Sequence, residues 1–110
     1  MEQNKLQSYL GFCIRARKIV YGAEDVESKK RNVFLLIMDE ELGNRSLKLM
    51  VKAQERFSCP LLVAKAGVLG EYLHRPAVKA TAITDKHLAK AVCDTALSGE
   101  FFRLYSGGVN

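Results

Sequence analysis

The sequence predicts a three-layer α/β/α sandwich, built on a central mixed sheet of four strands and formed by a single domain that spans residues 1–110. The length of 110 residues is sufficient for one hydrophobic core and too short for two. Helical and strand patterns alternate along the chain, which is typical of a sheet with helices packed on both faces. The strand patterns are short and apolar at nearly every position, as expected where both faces of a sheet are covered.

Five segments are predicted to be helices and four to be strands. Apolar side chains three and four residues apart, as at Leu6, Leu10 and Cys13, define the amphipathic helices. The predicted helices cover residues 6–14, 23–30, 47–57, 68–73 and 85–97. The predicted strands cover residues 18–21, 33–38, 61–64 and 78–84. Either Thr84 or Asp85 is suited to cap the last helix, because both side chains accept hydrogen bonds from free amides.

The segment after the last helix, residues 98–110, ends in Ser-Gly-Gly-Val-Asn, and we expect it to form a flexible tail. Its apolar side chains, by which the beginning of the tail would dock on the domain, are Phe101, Phe102, Leu104 and Tyr105.

The apolar runs and the cysteines predict a cytoplasmic protein. The longest runs, such as residues 33–38, are too short to cross a bilayer, so no membrane partner is expected. The N-terminus lacks the apolar stretch of a secretion signal. Cys13, Cys59 and Cys93 are odd in number and have no Cys-x-x-Cys spacing, which favours reduced thiols over disulfides or a metal site.

The charge favours an anionic partner. The formal net charge is +5 and the isoelectric point is near 9.2, and nucleic acid is the commonest partner of basic proteins. Six cations form two clusters that bracket Gly22 in the sequence: Arg15, Arg17 and Lys18, and Lys29, Lys30 and Arg31. If the second helix begins at Gly22, its free amides would face outward between the clusters, where they suit phosphates and the edges of splayed bases. Each cluster alone is also explained as cations that complement a helix dipole.

Sequence motifs of enzymes are absent, since the chain has no Gly-x-Gly-x-x-Gly, P-loop, His-Glu-x-x-His or Gly-x-Ser-x-Gly pattern. His74 and His87 lie far apart in the sequence and are expected on the surface. Asp39 follows a predicted strand, where α/β enzymes often keep carboxylates, so a small enzyme using Asp39 and Asp85 is a minor alternative. The favoured prediction is a protein that is not an enzyme and has no cofactor and no small-molecule substrate.

Several segments together resemble a known family. The first is Leu6-Gln-Ser-Tyr-Leu-Gly-Phe-Cys-Ile-Arg-Ala-Arg-Lys-Ile-Val-Tyr-Gly, and the others are residues 34–39, 59–63, 69–70 and 82–91. In this order they are similar to bacterial YlxQ-type proteins, relatives of the ribosomal proteins L-seven-Ae and L-thirty-e, which bind kink-turn RNA. The resemblance covers roughly residues 5–97. It implies an L-thirty-e-like fold and a translation-related function in binding structured, kink-turn-like RNA, with ribosomal RNA or the ribosome as partner.

The resemblance also implies an RNA-binding site with two parts. Relatives read the bases of the kink-turn with the N-terminus of the second helix, and they pack a separate apolar loop on an extruded nucleotide. The residues implied for the first part are Gly22, Ala23, Glu24, Asp25 and Lys29, with Lys18 nearby for phosphate. Those implied for the second part are Cys59, Pro60 and Leu61.

This sequence departs from the family pattern at several positions of the first part. Glu24 and Asp25 stand where relatives have Asn and Glu, and Ser28 stands at the strict position of a family Lys. Arg17 replaces a glycine, and the segment from Val26 to Val33 is shorter, which predicts a short second helix. These departures leave an alternative, a protein-interaction module that keeps the fold without specific kink-turn recognition.

Overall fold

The computed structural model describes residues 2–106, with side chains described from residue 5 onward. Within that part the chain contains five helices and five strands. The helices are α1 (Glu2–Arg15), α2 (Ala23–Ser28), α3 (Asn44–Phe57), α4 (Val68–Leu73) and α5 (Lys86–Ser98). The strands are β1 (Ile19–Tyr21), β2 (Leu35–Asp39), β3 (Leu61–Ala64), β4 (Ala80–Ile83) and β5 (Phe102–Leu104). A mixed α/β fold is therefore confirmed, with each predicted helix and strand present at or near its predicted position.

The sheet is mixed, as predicted, but it has five strands and not four. The strand order is β1-β4-β2-β3-β5. The pair β2 and β3 is parallel, whereas the three other neighbouring pairs are antiparallel. Each sequential pair from β1 to β4 is joined by a helix, which leaves room for a parallel neighbour and for crossovers.

The fifth strand corrects the prediction of a flexible tail from residue 98, whereas the expected docking of the first tail residues is confirmed for Phe102, which is buried in the hydrophobic core. Phe102 pairs with Ala64 and Leu104 with Leu62 at the outer side of β3, and Tyr105 donates a backbone hydrogen bond to Leu61 at 2.8 Å. Phe102 is buried, while Arg103 and Leu104 are exposed. A three-residue strand with this pattern has no alternation to detect in the sequence. Residues 107–110 of the predicted tail lie outside the described part of the chain.

Two clusters of buried side chains lie against the sheet. β2 is buried at each position, and its four apolar residues divide between the clusters in alternation, because successive side chains of a strand point to opposite faces. Leu35 and Ile37 belong to the first cluster, with residues of α1, α4 and α5. Leu36 and Met38 belong to the second, with residues of α2 and α3.

The strand directions sort the loops into two ends of the sheet. Ile19 pairs with Ile83, Leu35 also pairs with Ile83, and Leu36 pairs with Leu61. The segments before β1, β2 and β3 therefore lie at one end, together with the segment after β4. Gly22 lies at the opposite end, where its amide donates to the carbonyl of Ala80 at 2.8 Å.

Within residues 2–106, no helix combines the length and the apolar character needed to cross a membrane.

Candidate nucleic-acid interface

The N-terminus of α2 begins where the family resemblance places it. Gly22 precedes the helix with φ 91° and ψ 138°, a backbone conformation that glycine adopts without the strain a Cβ would cause. A Cβ at this position would meet nothing within 4 Å, so the torsion angle, not a close neighbour, explains the glycine. Gly22 also lacks a side chain to cap the helix, and its backbone is held to the start of β4 instead.

The predicted residues of α2 differ in their exposure. Glu24 and Asp25 are exposed, whereas Ala23 is buried in the second cluster and offers no side chain to a ligand. The helix is only six residues long, as the shortened segment predicts. Ser28, at the strict position of the family Lys, donates its hydroxyl to the carbonyl of Asp25 at 2.9 Å. Lys29 lies just past the helix and is half-buried.

The acidic run after β2 has a structural role. Asp39 is 2% exposed, and its carboxylate accepts from the amides of Glu41 at 2.7 Å and Gly67 at 2.8 Å, which joins the loops that follow β2 and β3. Asp85 caps α5 by accepting from the amide of Leu88 at 2.9 Å. Since β2 and β4 are antiparallel, the two aspartates lie at opposite ends of the sheet and do not form a common site.

Most of the cations named in the sequence lie at the other end of the sheet from Gly22. We call the following residues the basic end: Arg15, Arg17, Lys18, Lys29, Lys30, Arg31, Arg56 and Lys86. They come from the ends of α1, α2 and α3, from the loops that follow, and from the first turn of α5. The prediction that the amides at Gly22 lie between the two clusters is thus wrong, because β1 separates Lys18 from Gly22 and α2 runs back beside it.

Arg17 ends α1 in a conformation that is unusual for its residue type. Its φ is 59°, in the left-handed region that residues other than glycine and asparagine seldom adopt. The amide of Lys18 donates to the carbonyl of Cys13 at 2.8 Å, and that of Arg17 to Ile14 at 3.1 Å. This pair of bonds is the Schellman arrangement, whose left-handed position is normally glycine. An exposed cation is therefore present at a position where its Cβ makes the backbone conformation less favourable than that of glycine.

Arg56 fixes the loop that carries the second basic cluster. Its Nη2 donates to the backbone carbonyls of Glu27 and Lys29, the latter at 2.8 Å, and its Nη1 pairs with the carboxylate of Glu27 at 3.3 Å. Its guanidinium also lies over the ring of Phe57, 4.7 Å from the centroid. Arg56 thereby holds the end of α2 against the end of α3, directly before Lys30 and Arg31 in the chain.

A groove of about 610 Å³ opens at the basic end, between the loops before β2 and β3 and the first turns of α5. The cations that line it are Lys30, Arg31, Arg56, Lys86 and Lys90. Among the described residues its one carboxylate is that of Asp94, which is paired with Lys90 at 3.0 Å. The apolar residues of the groove include Val33, Phe34, Phe57, Pro60, Ala89 and Cys93.

Arg56, Lys86 and Lys90 were not predicted as site residues. Lys86 is exposed at the first position of α5, where a positive charge opposes the helix dipole. Lys90 lies one turn further along the same side, at the i+4 position. The four-residue spacing of Lys86 and Lys90 could have indicated from the sequence that both cations lie on one side of α5. Arg56 had no such signal, because its role depends on the packing of α3 against α2.

The second predicted part of the site, Cys59 to Leu61, does not lie beside the first. These residues precede or begin β3 at the basic end, and three strand spacings, or roughly 14 Å, separate β3 from β1 in the sheet order. Leu61 is fully buried and Cys59 nearly so, because both belong to the core that covers β3. Pro60 alone of the three is exposed. The prediction that Leu61 contacts an extruded nucleotide is therefore wrong, because its side chain is not accessible.

The three thiols differ in their access to solvent. Cys13 and Cys59 are free and buried, and Cys93 is free and partly exposed beside the groove. Burial raises the pKa of Cys13 and of Cys59 to about 11. Burial, with a smaller contribution from the charge of Asp94, also raises the pKa of Cys93. All three therefore favour the neutral thiol near neutral pH.

The comparisons with known proteins bear on the fold. No protein-family model and no curated protein matches the chain. A solved structure described as a protein with unknown function from Bacillus halodurans C is similar, with a TM-score of 0.72 and 21% sequence identity. The alignment covers 83% of this chain and 95% of that one. Such a likeness shows that the fold occurs in another protein.

Proposed function

We propose that this chain is a non-catalytic RNA-binding protein, and that the basic end is the surface that contacts phosphates. The observation that carries the proposal is the convergence of eight cations from four separate regions of the chain at one end of the sheet. Phosphate contacts supply much of the affinity of proteins for nucleic acid. Arg17 and Lys86 support the proposal further, because each stands where a neutral residue would be more favourable for the local backbone or helix dipole.

We further propose that the fold is an L-thirty-e-like α/β/α sandwich and that the protein acts in the cytoplasm. The division of the buried side chains into two clusters, one with α1, α4 and α5 and one with α2 and α3, supports the three layers. The three free cysteines suit a reducing compartment. The target would be a kink-turn-like RNA, and ribosomal RNA is the class that the resemblance favours.

Binding of RNA across a salt series tests the proposal. The probes are a kink-turn RNA and a straight duplex of equal length, each titrated with the protein at several salt concentrations. Lys30→Glu/Arg31→Glu should lower the affinity for both RNAs about tenfold or more at low salt. The matched control is Lys48→Glu/Lys52→Glu, which reverses two exposed charges on α3. If the two double variants lose the same RNA affinity, phosphate binding is not localised to the basic end.

The recognition of a kink requires a separate variant, because the N-terminus of α2 lies at the opposite end of the sheet from the basic end. Asp25→Ala should reduce the preference for the kink-turn over the duplex and leave the affinity for the duplex unchanged. If the natural sequence binds both RNAs equally, the kink-turn part of the proposal is wrong and a different structured RNA is the target. If it binds neither, RNA binding itself is wrong.

The second candidate is a protein-interaction module of the same fold. The exposed carboxylates of Glu24 and Asp25 favour it, because they would repel the phosphates of an RNA bound at the N-terminus of α2, where the resemblance implies base contacts. Failure to bind either RNA at low salt is the outcome that supports this candidate.

A further inference from the structure

The outer side of β5 is an edge of the sheet, and no further strand pairs with it within residues 2–106. The amide of Tyr105 donates to the carbonyl of Leu61 at 2.8 Å. Bonded and non-bonded pairs alternate along an antiparallel ladder, so the odd-numbered positions of this segment bond to β3. The even-numbered positions, Phe102 and Leu104, therefore direct their backbone N–H and C=O groups away from β3.

This edge has few of the features that prevent a strand from pairing with another chain. Edges are commonly blocked by lysine, proline or a bulge, and β5 has the sequence Phe-Arg-Leu, which contains neither lysine nor proline. Its one charged residue, Arg103, pairs with Glu40 of the same chain at 3.5 Å. Leu104 is 55% exposed, more than any other large apolar side chain of the described residues.

The distribution of charge indicates which strand covers this edge. β5 runs toward the basic end, because Leu104 pairs with Leu62 in the first half of β3. The opposite end of the sheet carries the exposed carboxylates of Glu40, Glu41 and Glu100. A second copy that adds its β5 in the antiparallel direction is reversed along the strands, which brings its basic end to the level of these carboxylates. The edge is thus complementary in charge to a reversed copy of itself.

Hydrogen bonding and charge also select the register. With Leu104 opposite Leu104 of the second copy, these two residues exchange both of their free backbone hydrogen bonds. The same register places two exposed leucines together and sets Arg103 opposite Tyr105 of the second copy. A register with Arg103 opposite itself would place two like charges directly across the ladder, which is destabilising.

We propose that β5 pairs antiparallel with β5 of a second copy of this chain, centred on Leu104, and that the pairing joins the two five-stranded sheets. A strand of three residues gives a small interface, so the association is weak and depends on concentration. The inference does not rest on RNA binding. In the dimer the two basic ends face in opposite directions.

Cysteine cross-linking tests the register. Leu104→Cys is made together with Cys93→Ser, which removes the partly exposed native thiol. The Cα atoms of a bonded antiparallel pair lie about 5.5 Å apart, within the roughly 4.4–6.8 Å that a disulfide spans. Mild oxidation should therefore give a covalent dimer several-fold faster than in two matched variants. These are Arg103→Cys, whose two copies are offset along the ladder, and Lys48→Cys, on the exposed surface of α3.

Sedimentation equilibrium tests the association without a cross-link, at protein concentrations from roughly 10 μM to 1 mM, the range that a small interface requires. Leu104→Pro removes an amide that points away from β3, so it should raise the Kd of the dimer about tenfold or more. Phe12→Ser is the control, because it removes a similarly exposed apolar side chain from α1. It should leave the Kd unchanged, and thermal denaturation verifies that both variants are folded.

Three results would overturn the inference. The first is a monomer at every concentration, with no faster cross-linking at residue 104 than at residue 48. The second is faster cross-linking of Arg103→Cys than of Leu104→Cys, which would contradict the register. The third is a dimer that Phe12→Ser dissociates and Leu104→Pro does not, which would place the interface on α1. These measurements use no RNA, so their failure leaves the proposed function untouched.

Discussion

Arg17 shows a conflict between stability and charge at a single residue. Its left-handed backbone favours glycine, so Arg17→Gly should stabilise the protein by about 1 kcal/mol. The same change removes a cation of the basic end and should weaken RNA binding. Chemical denaturation measures the first effect, and a titration with RNA measures the second.

Arg17→Asn is the control for this prediction, because asparagine tolerates the left-handed region and carries no charge. It should lose as much RNA affinity as the glycine variant. Unchanged RNA affinity in both variants would show that Arg17 does not contact RNA.

The buried thiols predict a pH dependence. Burial raises the pKa of Cys13 and of Cys59 from 9.0 to about 11, so the folded state holds protons that the unfolded state releases. The stability that these two groups contribute is therefore fully present below about pH 9 and is lost as the pH rises toward 11. In Cys13→Ala/Cys59→Ala, the free energy of unfolding should fall less steeply between these pH values. Parallel curves for the two proteins would contradict the prediction.

At the scale of elements, β5 is the strand that was not predicted from the sequence. Phe102 is 7% exposed and its ring centroid lies 5.9 Å from that of Tyr72, whereas Leu104 is 55% exposed. Phe102→Ala should therefore destabilise the protein by about 3–5 kcal/mol, while Leu104→Ala should change its stability by less than about 1 kcal/mol. Thermal or chemical denaturation checks both. Equal small effects would place Phe102 in a detached tail.

The longer elements were predictable because their patterns extend over several turns or over a fully apolar run. α1 and α3 have repeated apolar positions, and β2 and β3 are buried on both faces. β5 has only three residues, of which one is buried. The periodicity of a single segment also does not predict how α2 is oriented relative to β1. For that reason the cations of the two clusters could be named from the sequence, but their position at the opposite end of the sheet from Gly22 could not be predicted.

At the scale of the whole molecule, the number of cations that contact phosphate determines the salt dependence of binding. Each phosphate contact contributes roughly 0.7–0.9 to the slope of log affinity against log salt concentration. Lys30→Ala should reduce the slope by about that amount, and Lys52→Ala, on the exposed surface of α3, should leave it unchanged. Titrations at four or more salt concentrations measure both slopes. A slope that Lys30→Ala does not alter would remove this residue from the phosphate-contacting surface.

Because the basic end lies at one end of the sheet and the acidic residues 39–41 lie at the other, where Arg103 offsets only Glu40, we expect the molecule to have an electric dipole along the strands. In the field of a polyanion this dipole produces a torque, which turns the basic end forward before any contact forms. Screening confines the torque to about 8 Å at physiological ionic strength, less than the smallest extent of the molecule, 23 Å. Reorientation therefore belongs to the last step of approach, when a protein that arrives wrongly turned can still rotate into place before it diffuses away.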